Sequence, residues 1–99
     1  MSKEMSIEIG RRLKVIREYR HMKQNDVAAA LNTKQQVISQ YEKGKRNITI
    51  ALLMKFCNVL NVDLACFDPR RELVIWEPKT VLKYPGTVEE FFTKSELSI

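Results

Sequence analysis

The sequence has few of the residues that build metal centres and disulfide frameworks. Its 99 residues include two cysteines and one histidine. Cys57 and Cys66 stand among apolar neighbours, with no second pair of cysteines. Because neither a disulfide scaffold nor a zinc site has this arrangement, we expect two buried free thiols, no metal and no cofactor.

The sequence also lacks the signatures of membrane insertion and of catalysis. No apolar run approaches the length of a bilayer span, and the first residues do not have the pattern of a signal peptide. We therefore expect a cytoplasmic protein without membrane contact. No glycine-rich phosphate loop and no combination of nucleophile, histidine and carboxylate is present, so an enzyme is not predicted.

Basic residues are concentrated in the first half of the chain. Lysine and arginine together number 17 against 12 acidic residues, which gives a net charge of +5. Between Arg11 and Arg46 ten bases face three acids, whereas from Arg70 to Ile99 five bases and five acids cancel. This asymmetry predicts a polyanionic partner for the first part and a different role for the tail.

Apolar residues recur at helical spacing through the first two thirds of the sequence. After a polar lead-in over residues 1–6, the pattern predicts helices over residues 7–19, 24–31, 35–42 and 50–60, with a fifth, short helix after Asp63. Asn32 tolerates the left-handed conformation that a tight turn between the second and third helices requires. Thr49 is a candidate N-cap for the fourth helix, and Pro69 is expected to end the compact unit.

The tail has a different character. Residues 72–76 are rich in β-branched and aromatic side chains and predict a strand. A second strand over residues 81–84 and a short helix around Phe91 and Phe92 are expected further on. We therefore divide the chain into residues 1–69, a DNA-binding unit by the argument that follows, and residues 70–99, a C-terminal extension.

Three glutamines in the third predicted helix are the most informative feature. Gln36 and Gln40 are one helical turn apart and Gln35 is beside them, while Val37, Ile38 and Tyr41 supply the apolar side. A glutamine amide donates and accepts at once, which matches the major-groove edge of adenine. The alternative is that these amides only solvate a surface helix.

Residues 24–67 resemble the Cro/C1-type helix-turn-helix family of phage repressors and XRE-like regulators. The positions that carry the resemblance are Gln24, Val27, Ala28, Leu31, Ile38, Ser39, Tyr41, Glu42, Gly44, Leu53, Leu60, Val62 and Phe67. The third helix is particularly similar to the recognition helix of the phage 434 repressor. The resemblance implies an all-α, five-helix, lambda-repressor-like domain. Lys34 stands where the family usually has a capping Ser or Thr, so either Thr33 supplies the cap or the helix begins at a shifted position.

The resemblance also implies roles for individual side chains. Gln35, Gln36 and Gln40 would contact base edges of double-stranded DNA. A structural ion pair is expected between Arg17 and Glu42, joining the first and third helices. The residues that would contact phosphates are Gln24, Lys34, Ser39, Lys43, Lys45, Arg46 and Asn47.

The function expected from these features is sequence-specific regulation of transcription, with a repressor binding a palindromic operator as a homodimer. Leu73, Val74, Ile75 and Trp76 are the candidate dimer contacts, because an exposed apolar strand invites pairing with its copy. The alternative is that this strand folds back on its own chain. Two further alternatives are an antitoxin whose tail binds a toxin and a restriction-modification controller.

Overall fold

Four α-helices and one short 3-10 helix make up the part of the chain that the computed structural model describes, residues 2–75. Their bounds are α1 Lys3–Tyr19, α2 Gln24–Ala30, α3 Gln35–Glu42, α4 Ile50–Leu60 and the 3-10 helix Leu64–Phe67. The predicted bounds of α3 and α4 are confirmed. In place of the predicted fifth α-helix stands the four-residue 3-10 helix. The elements predicted beyond residue 75 lie outside the described residues.

The first helix begins four residues earlier than predicted. Ser2 is its N-cap, and the Ser2 hydroxyl accepts a hydrogen bond from the Met5 backbone N–H at 3.1 Å. A capped helix start of this kind satisfies one of the backbone donors that the first turn leaves unpaired. Ser6, placed in the polar lead-in by its sequence context, is buried. The expectation of a lead-in over residues 1–6 was therefore wrong.

The turns between helices depend on residues with positive φ. Asn32 has φ 56° between α2 and α3, which confirms the left-handed conformation predicted there. His21 (φ 58°) and Asn61 (φ 55°) adopt it as well, after α1 and α4. The predicted N-cap of α4 is also confirmed, because the Thr49 hydroxyl accepts a hydrogen bond from the Leu52 N–H at 3.1 Å. None of the helices in residues 2–75 is long and apolar enough to cross a membrane.

The core receives side chains from every helix. Its largest fully buried members are Phe56, Phe67, Leu13, Ile16, Ile38, Leu60 and Val27. Tyr41 of α3 packs edge-to-face on Phe56 of α4, with ring centroids 5.9 Å apart. Cys57 and Cys66 are buried free thiols, as predicted, and burial raises the pKa of Cys57 to about 11. The helix-turn-helix pair α2–α3 is thus mounted on a scaffold formed by α1, α4 and the 3-10 helix.

A glycine allows α1 and α3 to approach closely. A Cβ added at Gly10 would lie 2.3 Å from the Tyr41 carbonyl oxygen and 2.7 Å from that of Glu42. Both neighbours are backbone atoms, so a larger residue would push the helices apart. The C-terminal end of α3 therefore rests directly on α1.

One arginine of α1 is buried. Only 4% of Arg12 is exposed. Its guanidinium donates to the carboxylate of Glu8 at 2.7 Å and to the backbone carbonyl of Cys66 at 3.0 Å, and also to the carbonyl of Arg71. The first helix is thereby tied to the last described segment.

The chain beyond Pro69 packs back on the helices. Leu73 and Ile75 are partly buried against the core, and the Cys66 thiol donates to the Val74 carbonyl at 3.3 Å. Residues 72–75, the described part of the predicted strand, are not in a strand. The side chains find their apolar surroundings on the helices of their own chain, so the segment needs no β-sheet to bury them.

The Glu8 carboxylate is shared by two arginines. Arg11 and Arg12 each approach it to 2.7 Å. Hydrogen bonds from Arg11 and then Arg12 lower the pKa of Glu8 from its ordinary value of 4.5 to about 2. The group therefore stabilises the fold fully above pH 4.5, and this contribution is lost as the pH falls towards 2.

We predict that Glu8→Gln flattens the acid limb of the stability profile. The free energy of unfolding of the wild type should fall between pH 4.5 and 2 more steeply than that of the variant, since the wild type binds one additional proton on unfolding, at Glu8. Urea denaturation at a series of pH values measures both slopes. Glu4→Gln, an exposed carboxylate in the first turn of the same helix, is the control. Parallel curves for wild type and Glu8→Gln would contradict the prediction.

Candidate nucleic-acid interface

The three glutamines lie along α3 on the side away from the core. Ile38, 1% exposed, points into the core from the same helix. Gln35 and Gln36 in the first turn are exposed, and Gln40 one turn later is partly buried. The structure therefore brings together the amides that the sequence assigned to base contact.

An ion pair between α1 and α3 lies beneath this row. Arg17 Nε donates to Glu42 Oε2 at 2.6 Å, and Arg17 Nη2 donates to Glu42 Oε1 at 3.2 Å. The side chains are 10% and 4% exposed, respectively. Arg17 also donates to the Met22 carbonyl at 2.8 Å, and its hydrogen bond with Glu42 raises the pKa of Arg17. The geometry is that of a buried, bidentate pair.

The ion pair continues into a chain of amides that reaches the first turn of α3. Gln24 Nε2 donates to Glu42 Oε1 at 2.9 Å, and Gln35 Nε2 donates to Gln24 Oε1 at 2.8 Å. A carboxylate only accepts, so the nitrogen of Gln24 must face Glu42 and its oxygen must face Gln35. Among residues 2–75, this order leaves Gln35 with a free oxygen and one free N–H. Those are the two groups that pair with the N6/N7 edge of adenine.

Gln24 retains one N–H beyond this chain. It is the first residue of α2, after the N-cap Lys23. The predicted phosphate contact is thus compatible with its internal bonds, although these bonds make Gln24 a structural link as well. Sequence reasoning missed the link, because nothing in the spacing of Gln24 and Gln35 indicates that their amides meet.

At the other end of α3, Arg46 contacts Gln40. Arg46 Nε donates to Gln40 Oε1 at 2.6 Å, and the Arg46 guanidinium carbon lies 5.9 Å from the centre of the Tyr41 ring. The sequence assigned Arg46 to phosphate contact and Gln40 to a base. The structure joins the two side chains.

Lysines from two elements line one cleft beside the C-terminal end of α3. The residues that line it are Lys3, Ser6, Ile7, Lys43, Gly44, Lys45 and Asn47. The Ser6 hydroxyl donates to Asn47 Oδ1 at 3.1 Å, which ties the loop to α1. Lys3 was not among the predicted phosphate contacts, since the helix that positions it was expected to begin at residue 7. The predicted phosphate contacts did include Lys43, Lys45 and Asn47.

The remaining predicted residues occupy varied places. Lys34 is the N-cap of α3 and is exposed, without a side-chain capping bond, so Thr33 does not supply the cap. Ser39 is partly buried in α3. Of the candidate dimer contacts, Leu73 and Ile75 face their own core, Val74 is 62% exposed, and Trp76 lies outside the described residues.

The helices α2 and α3 are short and are joined by a tight turn, and α3 has an exposed polar side with basic residues around it. This arrangement defines a helix-turn-helix DNA-binding domain. The helix-turn-helix family profile matches residues 13–65. The chain belongs to this family, whose members include the Cro/C1-type, XRE-like regulators. A search of curated protein sequences found no match.

Solved structures of several regulators are similar to this chain. The restriction-modification controller protein C.AhdI from Aeromonas hydrophila is 18% identical over 68% of this chain and 100% of its own, with a TM-score of 0.61. The DNA-binding domain of BldD is 25% identical over 68% of this chain and 97% of its own, with a TM-score of 0.62. A point mutant of the controller protein C.Esp1396I is 32% identical over 67% of this chain and 87% of its own, with a TM-score of 0.57.

We predict that Glu42→Ala destabilises the fold by roughly 3–5 kcal/mol, because it leaves the Arg17 guanidinium buried without its counter-charge. Thermal denaturation followed by circular dichroism measures the effect. The matched control is Glu18→Ala, which removes another carboxylate near Arg17, 3.9 Å away but 58% exposed. It should change stability by less than about 0.5 kcal/mol. Similar losses in both variants would show that burial of the Arg17–Glu42 pair does not determine its contribution.

Proposed function

We propose that this helix-turn-helix protein is a sequence-specific regulator of transcription that inserts α3 into the major groove of double-stranded DNA. The observation that supports this proposal is the row of glutamine amides on the outer side of α3. One of them, Gln35, is held by a chain of hydrogen bonds that starts at a buried ion pair. An amide whose donor and acceptor are fixed in advance distinguishes base edges without first having to be ordered. Docking in the manner of the phage 434 repressor, whose recognition helix α3 resembles, is part of the proposal.

The proposed contacts fall into two groups. Gln35, Gln36 and Gln40 contact base edges and determine sequence preference. The positively charged cleft and the N-termini of α2 and α3 hold the phosphates and determine register. The residues proposed to contact phosphates are Gln24, Lys34, Ser39, Lys43, Lys45 and Asn47, together with Lys3 at the start of α1.

We predict that Gln36→Ala lowers affinity for the best site by about 1–3 kcal/mol and relaxes preference at one base pair. Gln36 is the best of the three glutamines to test, because it is exposed and forms no side-chain hydrogen bond within residues 2–75. The best site is obtained by selection from random duplex DNA, and binding is measured by fluorescence anisotropy on selected and scrambled duplexes.

Lys45→Ala is the matched control for this measurement. It should weaken binding to the selected and scrambled duplexes alike. It should also reduce the dependence of affinity on salt, because binding with one phosphate contact fewer releases fewer counterions. Equal losses on both duplexes with Gln36→Ala would mean that Gln36 does not contact a base.

The proposal includes a homodimer on a palindromic operator. One helix-turn-helix unit contacts few base pairs, and the family geometry places two recognition helices about 10 bp apart on two half-sites. Leu73 and Ile75 are partly buried against their own core, and another face of the described residues offers several exposed apolar side chains to a second copy. Met5, Ile50 and Leu64 are 41%, 63% and 40% exposed and line one largely apolar groove. Side chains of this kind clustered on one face are typical of a protein contact.

We predict that Leu64→Asp shifts the protein from dimer to monomer in sedimentation velocity and weakens binding to palindromic duplexes. A charge placed in an apolar contact must be desolvated without a partner, which opposes association. The control is Val74→Asp, which places the same charge on the exposed side chain of the segment first predicted to dimerise. A dimer that survives Leu64→Asp but not Val74→Asp would assign the contact to residues 73–76 instead.

The second candidate function is control of a restriction-modification system. The observation that favours it is the 32% identity with the controller protein C.Esp1396I. An antitoxin role would require the tail to bind a toxin. The genes beside this one distinguish the two, since a controller accompanies a restriction endonuclease and an antitoxin accompanies a small toxin.

A further inference from the structure

The amide of Gln40 has a fixed orientation that differs from that of Gln35. Its contact with Arg46 Nε is 2.6 Å long. A guanidinium has donors only, so the amide atom that faces it must be the oxygen. The Gln40 oxygen is therefore occupied by a charged donor, and within residues 2–75 both N–H bonds of its –NH2 group are left without an acceptor.

The loop after α3 holds Arg46 in this place. The Lys45 backbone N–H donates to the Gln40 carbonyl at 2.9 Å, which closes the turn just before Arg46. The Arg46 guanidinium also lies over the Tyr41 ring, which packs against Phe56 in the core. A ring and a backbone turn thus fix the cation, and the cation fixes the amide.

We propose that Arg46 is a positioning residue that makes Gln40 a pure hydrogen-bond donor, so that Gln40 selects guanine over adenine at its base pair. Guanine presents two acceptors in the major groove, N7 and O6, which match the two free N–H bonds. Adenine presents an acceptor and a donor. Its amino group would have to approach an oxygen already bonded to a guanidinium, where the positive charge repels another donor.

This assignment rests on the proposed DNA-binding function and gives the two ends of α3 opposite preferences. Gln35 keeps a free oxygen and a free N–H and suits adenine, whereas Gln40 suits guanine. The difference does not come from the residue type, since both are glutamines. It comes from the charged residue at the origin of each hydrogen-bond chain, Glu42 for one and Arg46 for the other.

The test compares the wild type, Gln40→Ala, Arg46→Met and Lys45→Ala on duplexes that carry each base pair at every position of the selected site. The position that responds to Gln40→Ala identifies the base pair in question. There the wild type should prefer guanine to adenine by at least about fivefold. Arg46→Met keeps an unbranched side chain but removes the guanidinium and so frees the Gln40 oxygen, and it should therefore lose most of this ratio. Lys45→Ala removes a charge from the same loop and should retain the ratio while weakening all duplexes.

A modified base gives an independent readout. Replacing that guanine by 7-deazaguanine removes the N7 acceptor, which should weaken the wild type but not Gln40→Ala. Circular dichroism melting of Arg46→Met should match the wild type, because Arg46 is exposed.

The proposal is overturned if Arg46→Met retains the guanine preference and weakens all duplexes alike, as expected of a phosphate contact. It is also overturned if the wild type prefers adenine at the Gln40 position. Failure of the underlying function would look different: the wild type would then enrich no sequence from random DNA.

Discussion

The fold and its candidate DNA-binding surface both depend on the ion pair between Arg17 and Glu42. A buried pair is tolerated only when its remaining donors and acceptors are also satisfied. Here the Met22 carbonyl takes one N–H of Arg17, and the Gln24 amide donates to Glu42. These partners come from α1, α2, α3 and the turn after α1. The pair therefore holds the two helices of the helix-turn-helix at a fixed angle on α1, with Gly10 permitting the close approach. A shift of any of these elements would leave a charge without its hydrogen bonds.

The orientation of two of the three α3 amides follows from a charged side chain: the buried Glu42 for Gln35, and the exposed Arg46 for Gln40. An amide group has both a donor and an acceptor, and a solvated glutamine can direct either its –NH2 group or its oxygen towards a base. Contact with a group that only donates or only accepts removes that freedom. Glu42 does this for Gln35 through Gln24, and Arg46 does it for Gln40. Gln35 and Gln40 therefore each present one arrangement of donors and acceptors rather than an average over several.

Local patterns in the sequence were enough to predict α3, α4, the Thr49 cap and the turn at Asn32, because each depends on neighbours within one or two helical turns. The pairing of Arg17 with Glu42 was expected only through the family resemblance. Interactions between residues far apart in the sequence could not be predicted from local patterns. The burial of Arg12 depends on carbonyls 54 and 59 residues away, and the bond between Ser6 and Asn47 spans 41 residues. The strand expected over residues 72–76 illustrates the opposite error, since β-branched composition indicates an apolar segment and not where that segment packs.

The buried guanidinium of Arg12 also has a consequence for synthesis on the ribosome. Two of its three partners are the carbonyls of Cys66 and Arg71, which leave the exit tunnel long after α1 has emerged. Until then Arg12 must remain hydrated, and the groove between α1 and the 3-10 helix cannot close around it. The nascent chain therefore passes through a stage in which Arg17 can already pair with Glu42 while Arg12, on the same helix, still lacks two of its partners. Completion of the packed unit depends on the segment after the last helix, which supplies the Arg71 carbonyl and the side chains of Leu73 and Ile75.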